Sequence, residues 1–401
     1  MSVELTVPSH GLDRSLPAYQ EIERLFHAQI FTQRLYPGAA LAVCLNGRVV
    51  LDLVAGWADT QRAAPVAPDT LFMLFSATKP LVSLALLQQV ERHRLEIDAP
   101  VAVYWPEFGQ NGKERVTLRH ILTHRGGFPT TPPDLSPEQW GDPDAVRRAV
   151  AAMPAEYVPG AASVYHFLTQ HWVCAELVFR LDGRSIEAYV REEITAPLGM
   201  HNTYLGLPRE HDSRLARMHA TDGADARGIA TLREIHGSFL HRLPVPGASG
   251  VSTAADMARF YAAIGSGGAL DGVRILQPET VERMLRIEVD GRLDLVSEVP
   301  VRRGLGFELG GLADPRRQWP GATSTERTFW HGGFSASVCW GDRDTGLSMV
   351  FLTNGVRRDE EGAIARRDLS DAVRALAVKP VWAGIDGGGQ VRSMGVDEDD
   401  T

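Results

Sequence analysis

Cysteine and lysine are the rarest residues in this 401-residue chain. The three cysteines, Cys44, Cys174 and Cys339, stand far apart and form no C-x-x-C pair, so they indicate neither a disulfide framework nor a zinc site. No run of apolar residues approaches membrane-spanning length. The segment from Met1 to Leu16 has acids and prolines where a signal peptide has a basic region followed by an apolar one. The sequence therefore predicts a soluble, cytoplasmic protein.

Concentrated positive charge is also absent. The formal net charge is -9 and the arginines are dispersed among acidic residues, so the composition argues against a nucleic acid or an anionic membrane as a partner. Apolar residues make up 44% of the chain, which is enough to bury a large core in one large domain or two ordinary ones.

Strand patterns lie at both ends of the chain, and helical patterns lie between them. Near the start, Ala39–Leu45 and Arg48–Ala55 are rich in β-forming residues, and Asn46-Gly47 between them favours a tight hairpin turn. Near the end, strands are predicted at Leu305–Leu309, Arg327–Trp330, Ser335–Trp340 and Leu347–Thr353. Helices are predicted at Pro17–Leu35, Ala145–Met153, Leu168–Leu181, Ile186–Ile194, Ala254–Ile264, Pro278–Leu285 and Glu361–Ala377.

This order of elements predicts an α+β fold. An antiparallel β-sheet is built from both chain termini and flanked by helices, and a mainly helical region packs against it. We expect a discontinuous sheet domain at 1–75 and 250–382 and a mainly helical domain at 76–249. A flexible acidic tail is expected at 383–401, where apolar periodicity is missing.

The scarcity of lysine draws attention to Lys79, which stands three residues after Ser76. Pro80 follows it, and proline is acceptable only in the first turn of a helix, so Ser76 is predicted at a helix start. The spacing brings both side chains to one face of the helix. A serine hydroxyl becomes nucleophilic when a neighbouring base takes its proton, which a desolvated lysine can do and an arginine cannot.

To act as that base, Lys79 must have a pKa lowered from ~10.4 to ~7 or ~8. Burial beneath an apolar helix supplies a shift of this size. The alternative interpretation is a serine that caps a helix, followed by a solvated lysine. The apolar segments on both sides, 71–75 and 81–90, favour the buried pair.

Several motifs occur in the order found in one enzyme superfamily. They are Ser76-Ala77-Thr78-Lys79, the loop Val116–Gly127, Pro159-Gly160 leading to Tyr165-His166, Pro197–Met200, the helix Gly250–Phe260 and His331-Gly332-Gly333. On these motifs, from about Tyr36 to Asn354, the chain resembles the serine β-lactamase and penicillin-binding-protein superfamily, and within it the class C β-lactamase-like carboxylesterases.

The resemblance implies a set of roles at the site. Ser76 is acylated, Lys79 and Tyr165 form a proton-relaying pair, and the backbone N–H groups of Ser76 and Phe334 form the oxyanion hole. Neither a metal nor an organic cofactor is expected.

The chain departs from the superfamily pattern in two places. Tyr165-His166-Phe167 stands where penicillin-recognising members have Tyr-Ser-Asn or Tyr-Ala-Asn, which removes an amide that contacts β-lactams. His331-Gly332-Gly333 replaces Lys-Thr-Gly, which removes a fixed cation that pairs with a substrate carboxylate. Both departures favour a neutral ester or acyl substrate.

The other predicted substrate-binding residues each have two interpretations. His166 either touches the substrate or orders Tyr165. Trp330 either walls the acyl pocket or packs in the core. Gly332 and Gly333 either admit a substrate carbonyl close to the strand or mark a β-bulge.

His120 and His124 have the spacing of two metal ligands on one helix face. No Glu follows His120 and no third ligand is evident, so structural hydrogen bonding of a loop is favoured over zinc.

Together these features predict a serine hydrolase that cleaves a small-molecule acyl ester through acyl-Ser76. Three alternatives stay open: an acyltransferase with the same acyl-enzyme, a β-lactamase or D-peptide-processing enzyme, and a binding scaffold without activity. The physiological substrate and the oligomeric state are not determined by the sequence.

Overall fold

The computed structural model describes residues 4–6, 12–226, 228–230, 232, 240–312 and 320–377. Its centre is one antiparallel sheet. In chain order the strands of this sheet are β1 (Glu4–Thr6), β2 (Gly38–Leu45), β3 (Arg48–Asp59), β4 (Ala64–Pro65), β5 (Val289–Leu293), β6 (Pro300–Arg303), β7 (Glu308–Leu309), β8 (Thr328–Gly333), β9 (Ser337–Asp342) and β10 (Leu347–Thr353). Their order across the sheet is β1-β3-β2-β10-β9-β8-β7-β6-β5, and β4 pairs with β3.

The pairing of β2 with β10 joins the two ends of the chain. Ala39 lies opposite Thr353 and Leu45 opposite Leu347, without a register shift between them. The prediction of an α+β fold with a sheet built from both termini is therefore confirmed. The tail predicted at 383–401 lies outside the described residues.

The helices are α1 (Pro17–His27), α2 (Lys79–Glu91), α3 (Leu118–Leu122), α4 (Pro143–Ala152), α5 (Thr169–Asp182), α6 (Ile186–Val190), α7 (Ala254–Gly265), α8 (Pro278–Leu285) and α9 (Glu360–Arg374). No helix among the described residues has both the length and the apolar character needed to cross a bilayer.

Alternating side chains give the sheet two apolar faces. On one face, Leu41 and Phe351 pack in a cluster with residues of α1 and α9. On the other, Ala42 and Val350 belong to the large core that includes α7 and the helical region. Because both faces are covered, β2 and β10 are buried along their whole length.

Helix α2 is the centre of the helical region. It is buried on every side from Lys79 to Gln89 and packs against α5, α6 and α8. A helix that is apolar all round belongs in a core, and its first turn therefore carries Lys79 into the protein interior.

Short strand pairs connect the helical region to the sheet. Phe72–Met73 and Tyr204–Leu205 both pair with Gly250–Ser252, and His219–Ala220 pairs in parallel with Gly355–Val356. Ala269–Leu270 and Val273–Arg274 form a separate hairpin after α7. The division into two domains at these connections stays a prediction.

Most predicted elements lie within a few residues of the observed ones, with informative exceptions. The helix predicted at Pro17–Leu35 is α-helical only to His27 and continues as a π-turn to Thr32. The strand predicted at Leu305–Leu309 is reduced to Glu308–Leu309, because Gly304 and Gly306 turn the chain between β6 and β7. Strands β5 and β6 were not predicted, since β5 is mostly exposed and β6 buries two arginines, so neither shows an apolar alternation.

Candidate active site

Ser76 lies in a 3₁₀ turn, Phe75–Thr78, that runs directly into α2. Phe75 has a φ of 49°, a left-handed conformation that is rare for a bulky residue and is typical of strained functional turns. The turn is held from two sides. Thr78 Oγ1 donates to the Phe75 carbonyl at 2.6 Å and accepts from the Gly250 N–H at 2.9 Å. Ser76 itself stays partly exposed.

Lys79 is buried directly behind Ser76, with 1% of its surface exposed. Its Nζ lies 3.2 Å from Ser76 Oγ and 2.8 Å from the carbonyl oxygens of both Phe167 and Gly247. The short contact expected from the S-x-x-K spacing is present, and the solvated lysine of the alternative interpretation is not.

The partners of Lys79 can serve either an ammonium or a neutral amine. A neutral amine has two N–H donors and one lone pair, whereas an ammonium has three donors. The carbonyls of Phe167 and Gly247 accept two hydrogens from Nζ. The third contact, with Ser76 Oγ, is a donated hydrogen in the ammonium, and in the neutral amine it is the place of the lone pair that can receive the Ser76 proton. Burial lowers the pKa of Lys79 from 10.5 to about 7, which corresponds to about 5 kcal/mol of destabilised ammonium.

Tyr165 completes the group around Ser76. Its phenol is hydrogen-bonded to the Ser76 side chain, and Lys79 Nζ lies 5.3 Å from the centre of its ring. Burial raises the pKa of Tyr165 well above its usual value, while the Ser76 hydrogen bond opposes the shift. At neutral pH the residue is therefore a protonated phenol beside a lysine of low pKa.

Two histidines support Tyr165: His124, in the loop that follows α3, and His166, the next residue in the chain. The ring of His124 stacks on the ring of Tyr165, with 4.5 Å between centroids. The backbone N–H of His166 donates to His124 Nδ1 at 2.9 Å, and the His166 Nε2 lies 3.1 Å from the Phe128 carbonyl. His166 is 1% exposed, so its placement fits the ordering of Tyr165 and leaves no surface for a substrate.

His120 and His124 do not form a metal pair. His120 Nδ1 accepts from the Thr117 N–H in a capping box at the start of α3, while His124 faces Tyr165. Over the described ranges, no three His, Cys, Asp or Glu side chains are grouped to hold a metal.

The end of β8 lies against the turn that carries Ser76. A Cβ on Gly333 would overlap the carbonyl oxygen of Leu74, and Ser337 Oγ donates to the same oxygen at 3.0 Å. Only glycine allows the strand to approach so closely. His331, two residues before Gly333 in β8, is buried. Burial lowers its pKa to about 4, so it is neutral.

Phe334 follows Gly333 in the three-residue connection, 334–336, between β8 and β9. Phe334 and Ser335 have φ values of 46° and 58°, and the Ala336 N–H donates to the Gly333 carbonyl at 2.8 Å, as in a type I′ turn. The strand predicted to begin at Ser335 therefore begins at Ser337. The rings of Phe334 and Phe75 are 5.6 Å apart, so the two strained residues contact each other.

Trp330 is not brought to Ser76. It packs with the cluster of α1 and α9, whereas its neighbour Phe329 belongs to the core on the opposite face. Alternation along β8 explains this placement, since Trp330 and His331 must point to opposite sides of the sheet. The structure thus supports packing as the role of Trp330 and gives it no place in the acyl pocket.

The sequence analysis missed a buried charged cluster next to Tyr165. Arg303, at the end of β6, pairs with Asp294 and Glu308, and its guanidinium carbon lies 5.9 Å from the centre of the Tyr165 ring. The sequence signal for it was an arginine and a glutamate on either side of Gly304 and Gly306. These glycines allow a tight turn, and the turn places Arg303 opposite Glu308 in a hairpin.

Comparison with known proteins shows the family of this chain. The Beta-lactamase family matches residues 24–374 of the chain. The chain therefore belongs to this family, which confirms the resemblance inferred from the motifs and identifies the protein as a β-lactamase-like serine hydrolase.

Three similar proteins illustrate the relationship. Esterase/beta-lactamase LipL of Mycobacterium tuberculosis is 30% identical over 363 residues, which cover 84% of this chain and 81% of LipL. Esterase EstB of Burkholderia gladioli is 28% identical, covering 85% and 92% of the two chains. The crystal structure of a family VIII carboxylesterase superposes with a TM-score of 0.77 at 26% identity, covering 91% of this chain and all of the other.

Proposed function

We propose that this protein hydrolyses neutral carboxylic esters through a covalent acyl intermediate on Ser76. The observation that carries the proposal is the 3.2 Å contact between Lys79 Nζ and Ser76 Oγ, made by an amine whose pKa burial lowers to about 7. The names of LipL and EstB, both esterases, support the same class of reaction.

Acylation begins when Ser76 Oγ bonds to the ester carbonyl carbon and its proton passes to the lone pair of Lys79 Nζ. The carbonyls of Phe167 and Gly247 stabilise the ammonium that forms. As the ester C–O bond breaks, Tyr165 donates its phenol proton to the departing alkoxide and is reprotonated by Lys79. The alcohol leaves and the acyl group stays on Ser76.

Deacylation uses the same groups in reverse. A water molecule replaces the alcohol, gives a proton to the Lys79 and Tyr165 pair, and bonds to the acyl carbon. The bond to Ser76 Oγ then breaks, the proton returns to Ser76, and the carboxylic acid is released.

The oxyanion hole is assigned to the backbone N–H groups of Ser76 and Phe334. The close approach of Gly333 to Leu74 brings the two strained turns side by side, and preorganised backbone donors are an effective way to stabilise a tetrahedral oxyanion. The strain at Phe75 and Phe334 is then the cost of aiming both donors at one point.

A neutral substrate follows from the charges at the site. His331 takes the place of the lysine that pairs with a carboxylate in penicillin-recognising relatives, and it is neutral because burial lowers its pKa to about 4. The guanidinium of the nearby Arg303 is paired with two carboxylates, those of Asp294 and Glu308. Neither residue offers a cation to a negatively charged acyl donor. The exclusion of nucleic acids as partners and the cytoplasmic location stay predictions.

A fluorophosphonate probe tests the acyl-enzyme, because it reacts only with an activated serine. Intact-protein mass spectrometry is expected to show one adduct on the wild type and on Ser83→Ala, and none on Ser76→Ala. Ser83 is the matched control, since it lies in α2 but contacts the buried His171. Absence of the wild-type adduct would leave the fold as a binding scaffold.

Substrate class is tested with p-nitrophenyl acetate and butyrate against nitrocefin. We expect ester turnover without appreciable nitrocefin turnover. Hydrolysis of nitrocefin without hydrolysis of either ester would contradict the proposal. Added methanol separates hydrolysis from acyl transfer, because a transferase would form the methyl ester in place of the acid.

A further inference from the structure

A buried charged cluster lies behind Tyr165. Arg303 Nε donates to Glu308 Oε1 at 2.6 Å, and Arg303 Nη1 donates to Asp294 Oδ2 at 2.9 Å and to Ser163 Oγ at 2.7 Å. All four residues are buried. A desolvated arginine needs this kind of forked pairing, and breaking it would leave uncompensated charge in the interior.

The cluster holds the segment that carries Tyr165. Ser163, two residues earlier, forms a parallel β-bridge with Asp294, and its carbonyl accepts from the Leu295 N–H at 2.9 Å. The Arg303 guanidinium also contacts the ring, 5.9 Å from its centre. The backbone before Tyr165 and the ring itself are thus tied to one arginine.

The charges that face Tyr165 come from a small set of groups. Lys79 approaches from α2, and the cluster of Arg303, Asp294 and Glu308 approaches from β6, β7 and the loop after β5. The imidazoles of His124, His166 and His331 are neutral, because burial lowers the pKa of each. The cluster therefore has a formal net charge of one negative unit beside a phenol that must keep its proton.

We propose that Arg303, with Asp294 and Glu308, is a positioning cluster that holds Tyr165 at Ser76 and keeps it protonated for transfer to the leaving alcohol. Arg303 does not touch the reacting atoms and is 2% exposed. The inference rests on the proposed function, since Tyr165 must act on a leaving group for its position to matter.

Arg303→Lys tests the positioning. Lysine keeps the charge but lacks the fork that reaches Glu308, Asp294 and Ser163 together. We expect kcat/KM for p-nitrophenyl butyrate to fall by about 10- to 100-fold, because Tyr165 is no longer held in its orientation. The pH at which kcat/KM reaches half of its maximum should not change. Arg302→Lys is the matched control, because Arg302, the preceding residue of β6, pairs with the exposed Asp290 and Glu326. It should stay within about twofold of the wild type.

Glu308→Gln tests the charge. Glutamine can still accept from Arg303 Nε, but the negative unit is lost. An ammonium at Lys79 then becomes less favourable. We therefore expect the pH at which the acylation rate is half-maximal, the acylation midpoint, to fall by about half a unit. Glu326→Gln removes the same charge from an exposed position and should leave the midpoint in place.

The outcomes separate this inference from the proposed function. Absence of a wild-type adduct at Ser76 would overturn the function itself. A wild-type adduct together with unchanged kcat/KM in folded Arg303→Lys would overturn the positioning cluster alone. If Arg303→Lys does not fold, Glu308→Gln decides, and an unshifted midpoint there would overturn the inference.

Discussion

Lys79 and Lys113 are both buried, but their nitrogens have different partners. Lys79 Nζ contacts two carbonyls and one hydroxyl. Lys113 Nζ donates to three carbonyls, those of Gln110, Ala151 and Met153, and also lies 5.1 Å from the centre of the Phe108 ring. Three acceptors and an aromatic face favour an ammonium.

The comparison shows that burial alone does not make a lysine a base. Burial lowers the pKa of Lys113 to about 8 and that of Lys79 to about 7. What distinguishes Lys79 is the hydroxyl of Ser76, which can give its proton to a lone pair. Lys113 joins the C-terminal end of α4 to the loop before α3, where a cation is stabilised by the helix dipole.

The largest expected effect separates the two lysines kinetically. Lys79→Arg keeps the charge but cannot present a neutral amine, so the acylation rate should fall by about 100-fold or more. Lys113→Arg should change the rate by less than about twofold, because Lys113 contacts no reacting group. The burst phase with p-nitrophenyl acetate measures both. Wild-type acylation in folded Lys79→Arg would rule out lysine as the base.

The pH dependence of acylation follows from the protonation of Lys79. The active form is the neutral amine, so the rate should rise about tenfold per pH unit below the pKa and level off above about 7. Single-turnover acylation between pH 5 and 9 tests this expectation. A profile that continues to rise past pH 9 would mean that Lys79 keeps its proton.

Substitution by methionine should lower the free energy of unfolding more at Lys113 than at Lys79. Lys113→Met leaves three carbonyls without their donor, so the free energy of unfolding should fall by about 2 to 4 kcal/mol. Lys79→Met should cost less, because it also removes an amine whose charged form is disfavoured by burial. Urea denaturation at pH 7 compares them. A larger loss for Lys79→Met would reverse the assigned roles.

A linked expectation concerns the pH dependence of stability. The pKa of Lys79 is about 7 in the folded protein and 10.5 when exposed, so the unfolded state binds more protons between these values. The free energy of unfolding should therefore rise with pH from about 7 toward 10, and Lys79→Met should flatten that slope. Equal slopes in the two proteins would contradict the low pKa.

The smallest expected effect is the change in the pKa of Lys79 caused by Ser76→Ala. Loss of the hydroxyl removes an acceptor for the third hydrogen of a Lys79 ammonium, so the pKa of Lys79 should fall further, by less than about one unit. Lys113 should not respond. Nuclear magnetic resonance of lysine labelled at Cε follows both residues in one titration.

The contact between Ser76 and Lys79 was predictable because it is local. Three residues of helix fix the spacing, and the apolar helix that follows fixes the burial. Tyr165 was predictable only from its motif, since it stands 86 positions after Lys79 in the chain. The resemblance supplied what periodicity did not.

Other parts of the site depend on tertiary contacts that leave no sequence pattern. Arg303 reads as one charged residue among many until β6 and β7 pair and bury it with Glu308. For Trp330, the nearness to His331 along the chain left the acyl pocket open beside core packing, and the pleat of β8 places it on the face opposite to His331. The positive φ values of Phe75 and Phe334 oppose local preference and are imposed by the packing around them.

Because the chain has only three lysines, the order in which they lose their protons can be measured directly. Lysine labelled with ¹³C at Cε gives three signals to follow with pH, and Lys79→Arg and Lys113→Met identify two of them. The account predicts that the Lys79 signal titrates first, near pH 7, ahead of Lys113. A Lys79 signal that stays in the ammonium position when Lys113 has already titrated would contradict it.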